Sequence, residues 1–213
     1  MKKYNILIEG PDRIGKSSLC KNIRKEFGTE ISYYSMHYDF VKYEDQLGHD
    51  YKMYSDMFWL MNELDKTENK RVICDRSHIG EYVYGSLYRG KLSTWIYDLE
   101  KKYNLDNVLL VLLTTTVPEI LLSRDDNNSL SNNDLCKINA ELQFFNDAYE
   151  QSNIPNKIKI NTAYSDIDHV FNAFKKQLEN LDKPKEEHKK MVEGMIDLGI
   201  GKSKDWHNIV EDI

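Results

Sequence analysis

Apolar residues along this chain alternate between short continuous runs and stripes at helical spacing. Asn5–Ile8 is a short apolar run closed by Glu9-Gly10, which predicts a buried strand. Gly15 then opens a helix whose Leu19, Ile23 and Phe27 recur on one face, with Gly28 as a fitting stop. Ile31–Met36, rich in tyrosine, reads as a second strand. From Tyr51 onward Tyr54, Met57, Phe58, Met61 and Leu64 follow helical spacing. Val72–Cys74 is a short buried strand ending at Asp75. Ser93 is placed to cap a helix carrying Trp95, Ile96, Leu99 and Tyr103. Val108–Leu113 is the most apolar run and reads as a central parallel strand. A helix near Pro118 precedes a polar stretch, Asp125–Asn133. Leu135, Ile138, Leu142, Phe145 and Tyr149 give a long helix one stripe, and Glu141 is expected on its solvated side. Lys157–Ile160 is a last strand. Ser165 then caps a helix with Ile167, Val170, Phe171, Phe174 and Leu178 facing inward. Strands alternating with helices predict an α/β fold, a mostly five-stranded parallel sheet covered by helices on both faces, with right-handed connections.

Composition adds limits. The 213 residues suffice for one α/β domain with a full core and are marginal for two. The formal charge of −6 argues against a broad nucleic-acid coat, because non-specific binding to DNA rests on Lys and Arg contacts with phosphate. Cys20, Cys74 and Cys136 are far apart and form no metal-like pair, so they read as reduced residues of a cytoplasmic protein. No run approaches the length of a membrane span, and Met1–Gly10 enters a strand too soon for a signal peptide. After Leu181 the pattern changes. Asp182–Lys190 is nearly all charge, and Met191, Met195, Ile196, Leu198 and Ile200 follow, which predicts a core domain at 1–181 and a charged linker with a helical tail at 182–213.

The chemistry begins at Gly10-Pro-Asp-Arg-Ile-Gly15-Lys16-Ser17, a full match to G-x-x-x-x-G-K-[ST]. Glycines let a backbone bend until its N–H groups encircle phosphate oxygens. Lys16, in an exposed loop, is expected to reach the β- and γ-phosphates, and Ser17 to offer a hydroxyl to Mg²⁺. The following helix turns its positive end toward the same anions. The phosphate-binding set is then Gly10, Asp12, Arg13, Ile14, Gly15, Lys16, Ser17 and Ser18. Chance produces such a match in about one chain of this length in a hundred, before the strand-loop-helix context is counted.

Asp75-Arg76-Ser77 stands at the end of a buried strand, where an open parallel sheet gathers its ligands. Asp75 is placed to hold Mg²⁺ or to position the attacking oxygen. Arg76 is placed to grip an acceptor phosphate in bidentate fashion.

In these features, and in Gly80-Glu-Tyr-Val-Tyr84-Gly, residues 1 to about 180 resemble thymidylate kinases and, more distantly, deoxynucleoside kinases, both of the P-loop NTPase class with its three-layer sandwich. The resemblance implies a nucleotide kinase that passes the γ-phosphate of MgATP to a deoxynucleoside monophosphate such as dTMP. It implies that Asp12 contacts the acceptor's sugar hydroxyl and that Arg13 places charge beside the transferring group. A loop arginine accompanies a lid poor in basic residues, and here Arg124 is the one basic residue from Thr116 up to Lys137. Arg13 and Arg124 are the candidates for that catalytic charge, beside Lys16 and Asp75. Phe58 and Tyr82 are candidates for the acceptor pocket with Asp12 and Arg76, although the apolar stripe holding Phe58 also suits the core. His78 lies beside Arg76 and reads as a bystander. The Arg-Glu-Pro-Gly segment of thymidylate kinases is absent, and Asp-Arg-Ser is closer to deoxynucleoside kinases. The alternatives are therefore a deoxynucleoside kinase, a kinase of a modified base or end in DNA, and a slow ATP-binding regulator. Family members are commonly homodimers, and a small Lys/Asn-rich kinase with an added tail suits a bacteriophage nucleotide pathway.

Overall fold

The computed structural model describes residues 4–28, 31–35, 46–67, 70–124, 129–163 and 166–181. Five strands form one all-parallel sheet in the order β2-β3-β1-β4-β5: β1 Asn5–Glu9, β2 Ile31–Ser35, β3 Arg71–Asp75, β4 Val108–Thr114 and β5 Asn156–Asn161. All five residues of β1 and the first six of β4 are buried, as expected of strands covered on both faces. At the sheet edge β5 alternates, with Ile158 and Ile160 inward. Each fully buried Leu or Ile of the central strands contributes about 1.5–3 kcal/mol by leaving water.

The helices are α1 Lys16–Phe27, α2 Gln46–Asp65, α3 His78–Tyr88, α4 Trp95–Glu100, α5 Glu119–Leu122, α6 Leu135–Gln151 and α7 Ile167–Leu181. Helix α1 buries Leu19, Cys20 and Ile23, and α7 buries Val170, Phe171 and Phe174. One main core cluster gathers Leu110 and Leu112 of β4, Val72 and Cys74 of β3, Phe58 and Met61 of α2, and Phe145 and Ala148 of α6. Some boundaries differ from the sequence expectation. Helix α2 starts at Gln46 rather than Tyr51, and α4 ends before Tyr103. Thr94, not Ser93, is the N-cap of α4, because the Ser93 hydroxyl donates to Glu81 (3.1 Å). The expected cap Ser165 lies outside the described residues. Helix α6 is capped by Asp134, which accepts from the amides of Cys136 (2.9 Å) and Lys137 (3.4 Å).

Lys2–Gln177 form one compact unit. The end of α7, 178–181, belongs to a second unit. The expected linker and helical tail at 182–213 lie outside the described residues.

Candidate active site at the ends of strands β1 and β3

At β1 the sheet order reverses, with β3 on one side and β4 on the other, which makes the carboxyl ends of these strands the switch point where open α/β sheets gather their ligands. Gly10 starts the phosphate loop there with φ 140°, and a Cβ on it would stand 2.4 Å from the carbonyl oxygen of Leu113. Only glycine lets the loop begin so close to β4. Ile14, 1% exposed, pins the middle of the loop to the core. Arg13 (φ 66°) and Arg76 (φ 77°) both take left-handed backbone conformations, which cost a non-glycine residue roughly 1–3 kcal/mol.

Lys16 is not exposed, as a loop lysine was expected to be. Its Nζ donates to the carbonyl oxygens of Gly10 and Pro11, each at 2.7 Å, and lies 3.8 Å from Asp12 Oδ1. The loop wraps its own carbonyls around the ammonium, and this encloses the side chain. Burial lowers the Lys16 pKa from the ordinary 10.5, while Asp12 pulls it upward. One residue on, Ser17 Oγ donates to Asp75 Oδ2 at 2.5 Å, and Tyr33 of β2 donates to the same oxygen at 3.0 Å. A hydroxyl and a carboxylate thus meet at one point. With water and phosphate oxygens to complete an octahedron, that donor set fits Mg²⁺.

The strand-end pair is tied to the loop. Arg76 donates its amide to Ile8 O (3.0 Å) and its Nη2 to Asp12 Oδ1 (2.7 Å). Arg13 turns the other way, toward the segment before α6. Its Nη1 donates to Asn133 Oδ1 (2.5 Å) and its Nη2 to Ser131 Oγ (3.0 Å). Loop, strand end and pre-α6 segment therefore converge. Ser17 and Ser18 are exposed at the start of α1.

Other expected residues lie elsewhere. Arg124 is exposed in the turn after α5 and makes no hydrogen bond or ion pair among the described residues. Phe58 is 0% exposed, its ring edge-on to His78 (4.9 Å) and tilted on Tyr103 (5.6 Å), so the apolar stripe is core and leaves no ring face for a base. Tyr82 packs between Tyr97 and Phe144, on the α4 and α6 side of its helix. Tyr84, two positions on, faces the site instead. Its buried hydroxyl has no hydrogen-bond partner among the described residues, and Asp12, Glu141, Arg76 and Glu9 all act on it electrostatically. His78 is fully buried and bonds Glu100 through Nε2 at 2.6 Å, away from the loop.

Buried carboxylates besides Asp75 were not foreseen in these positions. Glu141, expected in solvent, is 2% exposed and accepts from the Tyr88 hydroxyl. It lies three residues after Ile138 and four before Phe145, so helical spacing sets all three on the buried face. Burial pushes its pKa from 4.5 to about 7, with Asp12 adding to the rise. Glu9 ends β1 in full burial, which raises its pKa. Glu81 is buried against Arg89 (2.6 Å), and burial raises it as well.

The sheet order, the loop and the strand-end pair together give an α/β P-loop fold. No family model matches the sequence, and no curated protein sequence does either. Solved structures do share the fold. The YorR protein from Bacillus subtilis, in complex with phosphorylated GDP, superposes with a TM-score of 0.57 at 18% identity, over 84% of this chain and 99% of that one. Thymidylate kinase from Candida albicans gives 0.54 at 17%, over 84% and 92%. Deoxyadenosine kinase from M. mycoides, with dCMP and dCDP bound, gives 0.50 at 17%, over 84% and 100%. At such identities the likeness establishes the fold. No described helix is long and apolar enough to cross a membrane.

Proposed function

We propose that the protein is an ATP-dependent phosphotransferase that moves the γ-phosphoryl group onto a deoxynucleoside monophosphate. The observation that carries this reading is the 2.7 Å contact of Arg76 with Asp12, beside Lys16. It sets a guanidinium from the acceptor side of the sheet against the loop that takes the donor. In the reaction an oxygen of the acceptor phosphate bonds to the γ-phosphorus as the bond to the β,γ-bridging oxygen breaks. A phosphate oxygen brings no proton that must be removed, so the site has chiefly to supply position and positive charge. Lys16 serves the donor phosphates, Arg13 the transferring group and Arg76 the acceptor phosphate. Mg²⁺ at Ser17 and Asp75 would neutralise phosphate charge when bound. Two of the solved structures of this fold are described as kinases of a nucleotide and of a nucleoside, which supports this class of acceptor. A homodimer is proposed on the resemblance alone, and a cytoplasmic setting on the three separated cysteines.

The second reading, a deoxynucleoside kinase, is favoured by Asp75-Arg76-Ser77. A hydroxyl acceptor gives up a proton, and Asp75 is the carboxylate at hand. Its Oδ2, however, already accepts from Ser17 and Tyr33, which suits holding a ligand better than removing a proton. Matched pairs of nucleoside and 5′-monophosphate, assayed by ADP release, decide between them. The monophosphate should win in kcat/KM by about a hundredfold or more, because a nucleoside leaves the Arg76 site unfilled. Arg76→Ala should narrow that gap by slowing the monophosphate reaction. Equal rates for the pair would make the protein a nucleoside kinase.

A further inference from the structure

Glu9 is the last residue of β1 and is 1% exposed. Its Oε1 accepts three hydrogen bonds: from the amide of Ser77 (2.5 Å), the hydroxyl of Ser77 (2.8 Å) and the amide of Gly80 (3.1 Å). Ser77 is the N-cap of α3 and Gly80 belongs to its first turn. A helix start leaves such amides short of intrahelical partners, here with only a 3.2 Å bond from the Gly80 amide to Ser77 O, and a serine N-cap ordinarily satisfies one of them with its own side chain. Ser77 makes no such bond, since its hydroxyl is turned to Glu9. The neighbouring strand thus caps α3, and it does so with a carboxylate. Burying a carboxylate costs several kcal/mol, offset here by the three donors and by the positive helix end. A local serine cap would do the capping more cheaply.

The bond has a particular place in the chain. Glu9 immediately precedes Gly10, which opens the phosphate loop. Ser77 immediately follows Arg76, the proposed grip on the acceptor phosphate. The rungs Ile8 O to Arg76 N, Glu9 to Ser77 and Gly80, Asp12 to Arg76, and Asp75 to Ser17 join the two segments residue by residue. Of these, the Glu9 rung alone fixes the first turn of α3.

We propose that Glu9 is a positioning residue of the phosphotransfer reaction: by holding the first turn of α3 it keeps Arg76 at a set distance from the phosphate loop, and so aligns acceptor with donor. This rests on the kinase reading above. It needs no contact between Glu9 and either substrate.

The test compares Glu9→Ala and Glu9→Gln in the full chain. Four quantities are read: ADP affinity by calorimetry, kcat and KM for acceptor-dependent transfer, acceptor-independent ATP hydrolysis, and hydrogen exchange at the amides of Ser77 and Gly80. Misplacing a substrate by about an ångström costs up to about a hundredfold in rate, so Glu9→Ala should lose tenfold or more in kcat. ADP affinity should change little, and more ATP should be hydrolysed per transfer. Both amides should exchange faster. Glu9→Gln, which keeps an acceptor oxygen at Oε1, should recover most of the loss. Wild-type kcat in Glu9→Ala overturns the proposal, as does a fall in ADP affinity in step with kcat. Should Glu9→Ala fail to fold, Ser77→Ala removes the hydroxyl's bond to Glu9, and an unchanged ratio of hydrolysis to transfer then overturns it. If the wild type transfers phosphate to no acceptor, the kinase reading falls and takes the catalytic role with it, while the exchange rates still report whether Glu9 holds the turn.

Discussion

Lys16 keeps its ammonium in a shell of loop carbonyls, and so does two jobs. It is the charge we propose for the donor phosphates, and it ties Gly10 to the turn that follows. Lys16→Ala should lower ADP release by about a thousandfold or more, the scale set by a lost phosphoryl-stabilising cation. It should also lower the melting temperature by a few degrees, since two carbonyls lose a buried donor at about 1 kcal/mol each. Wild-type turnover would remove Lys16 from the chemistry. Glu141 makes a different test. Its folded pKa of about 7 lies above the ordinary 4.5, so between those values the folded protein binds the extra proton. Stability contributed by the neutral carboxyl is full below the unfolded value and is lost as pH rises through the folded one. A shift of this size is worth roughly 3 kcal/mol. Glu141→Gln, which stays neutral, should therefore gain on the wild type in urea unfolding as pH goes from 5 to 8. A constant difference across that range would show that Glu141 does not titrate there.

Among the elements, the approach of the phosphate loop to β4 is the tightest constraint. Gly10→Ala would drive a Cβ into the Leu113 carbonyl from a backbone angle that alanine resists. We expect a loss of about 3 kcal/mol or more in urea unfolding and a collapse of turnover, because the loop must shift bodily. A variant as stable as the wild type would mean the loop has room that the geometry denies it. The same elements show what a sequence discloses. Strands β1, β3 and β4 were legible because burial on both faces writes them as continuous apolar runs. The phosphate loop and Asp75-Arg76 were legible because their chemistry needs fixed residue types at fixed spacing. The start of α2 was not, since residues 46–50 are mostly polar with a glycine, and Leu47, Gly48 and His49 lie exposed. Glu141 and Glu9 were missed for a shared reason. A carboxylate at a buried position is satisfied by partners from distant parts of the chain, Tyr88 for one and Ser77 for the other, and no local pattern records them.

At the level of the whole molecule, the compact unit at Lys2–Gln177 holds the sheet, the loop and every candidate site residue. We expect a chain cut after Leu181 to give a circular dichroism spectrum of a folded α/β protein and to keep measurable ADP release. An insoluble or inert product would place the tail in the core or in a partner. The sheet order has a consequence of another kind, for the order of events in folding. Strand β1 is the first to leave the ribosome, yet it occupies the middle of the sheet, with Ile6 between Ile73 of β3 and Leu109 of β4. No strand here can pair through a hairpin, and each contact of β1 waits on the closure of a long loop. This apolar segment must stay unpaired until β3 has been made, and half-paired until β4 follows. Such a topology folds slowly, and it leaves a nascent β1 exposed to aggregation and to chaperones for longer than any other strand.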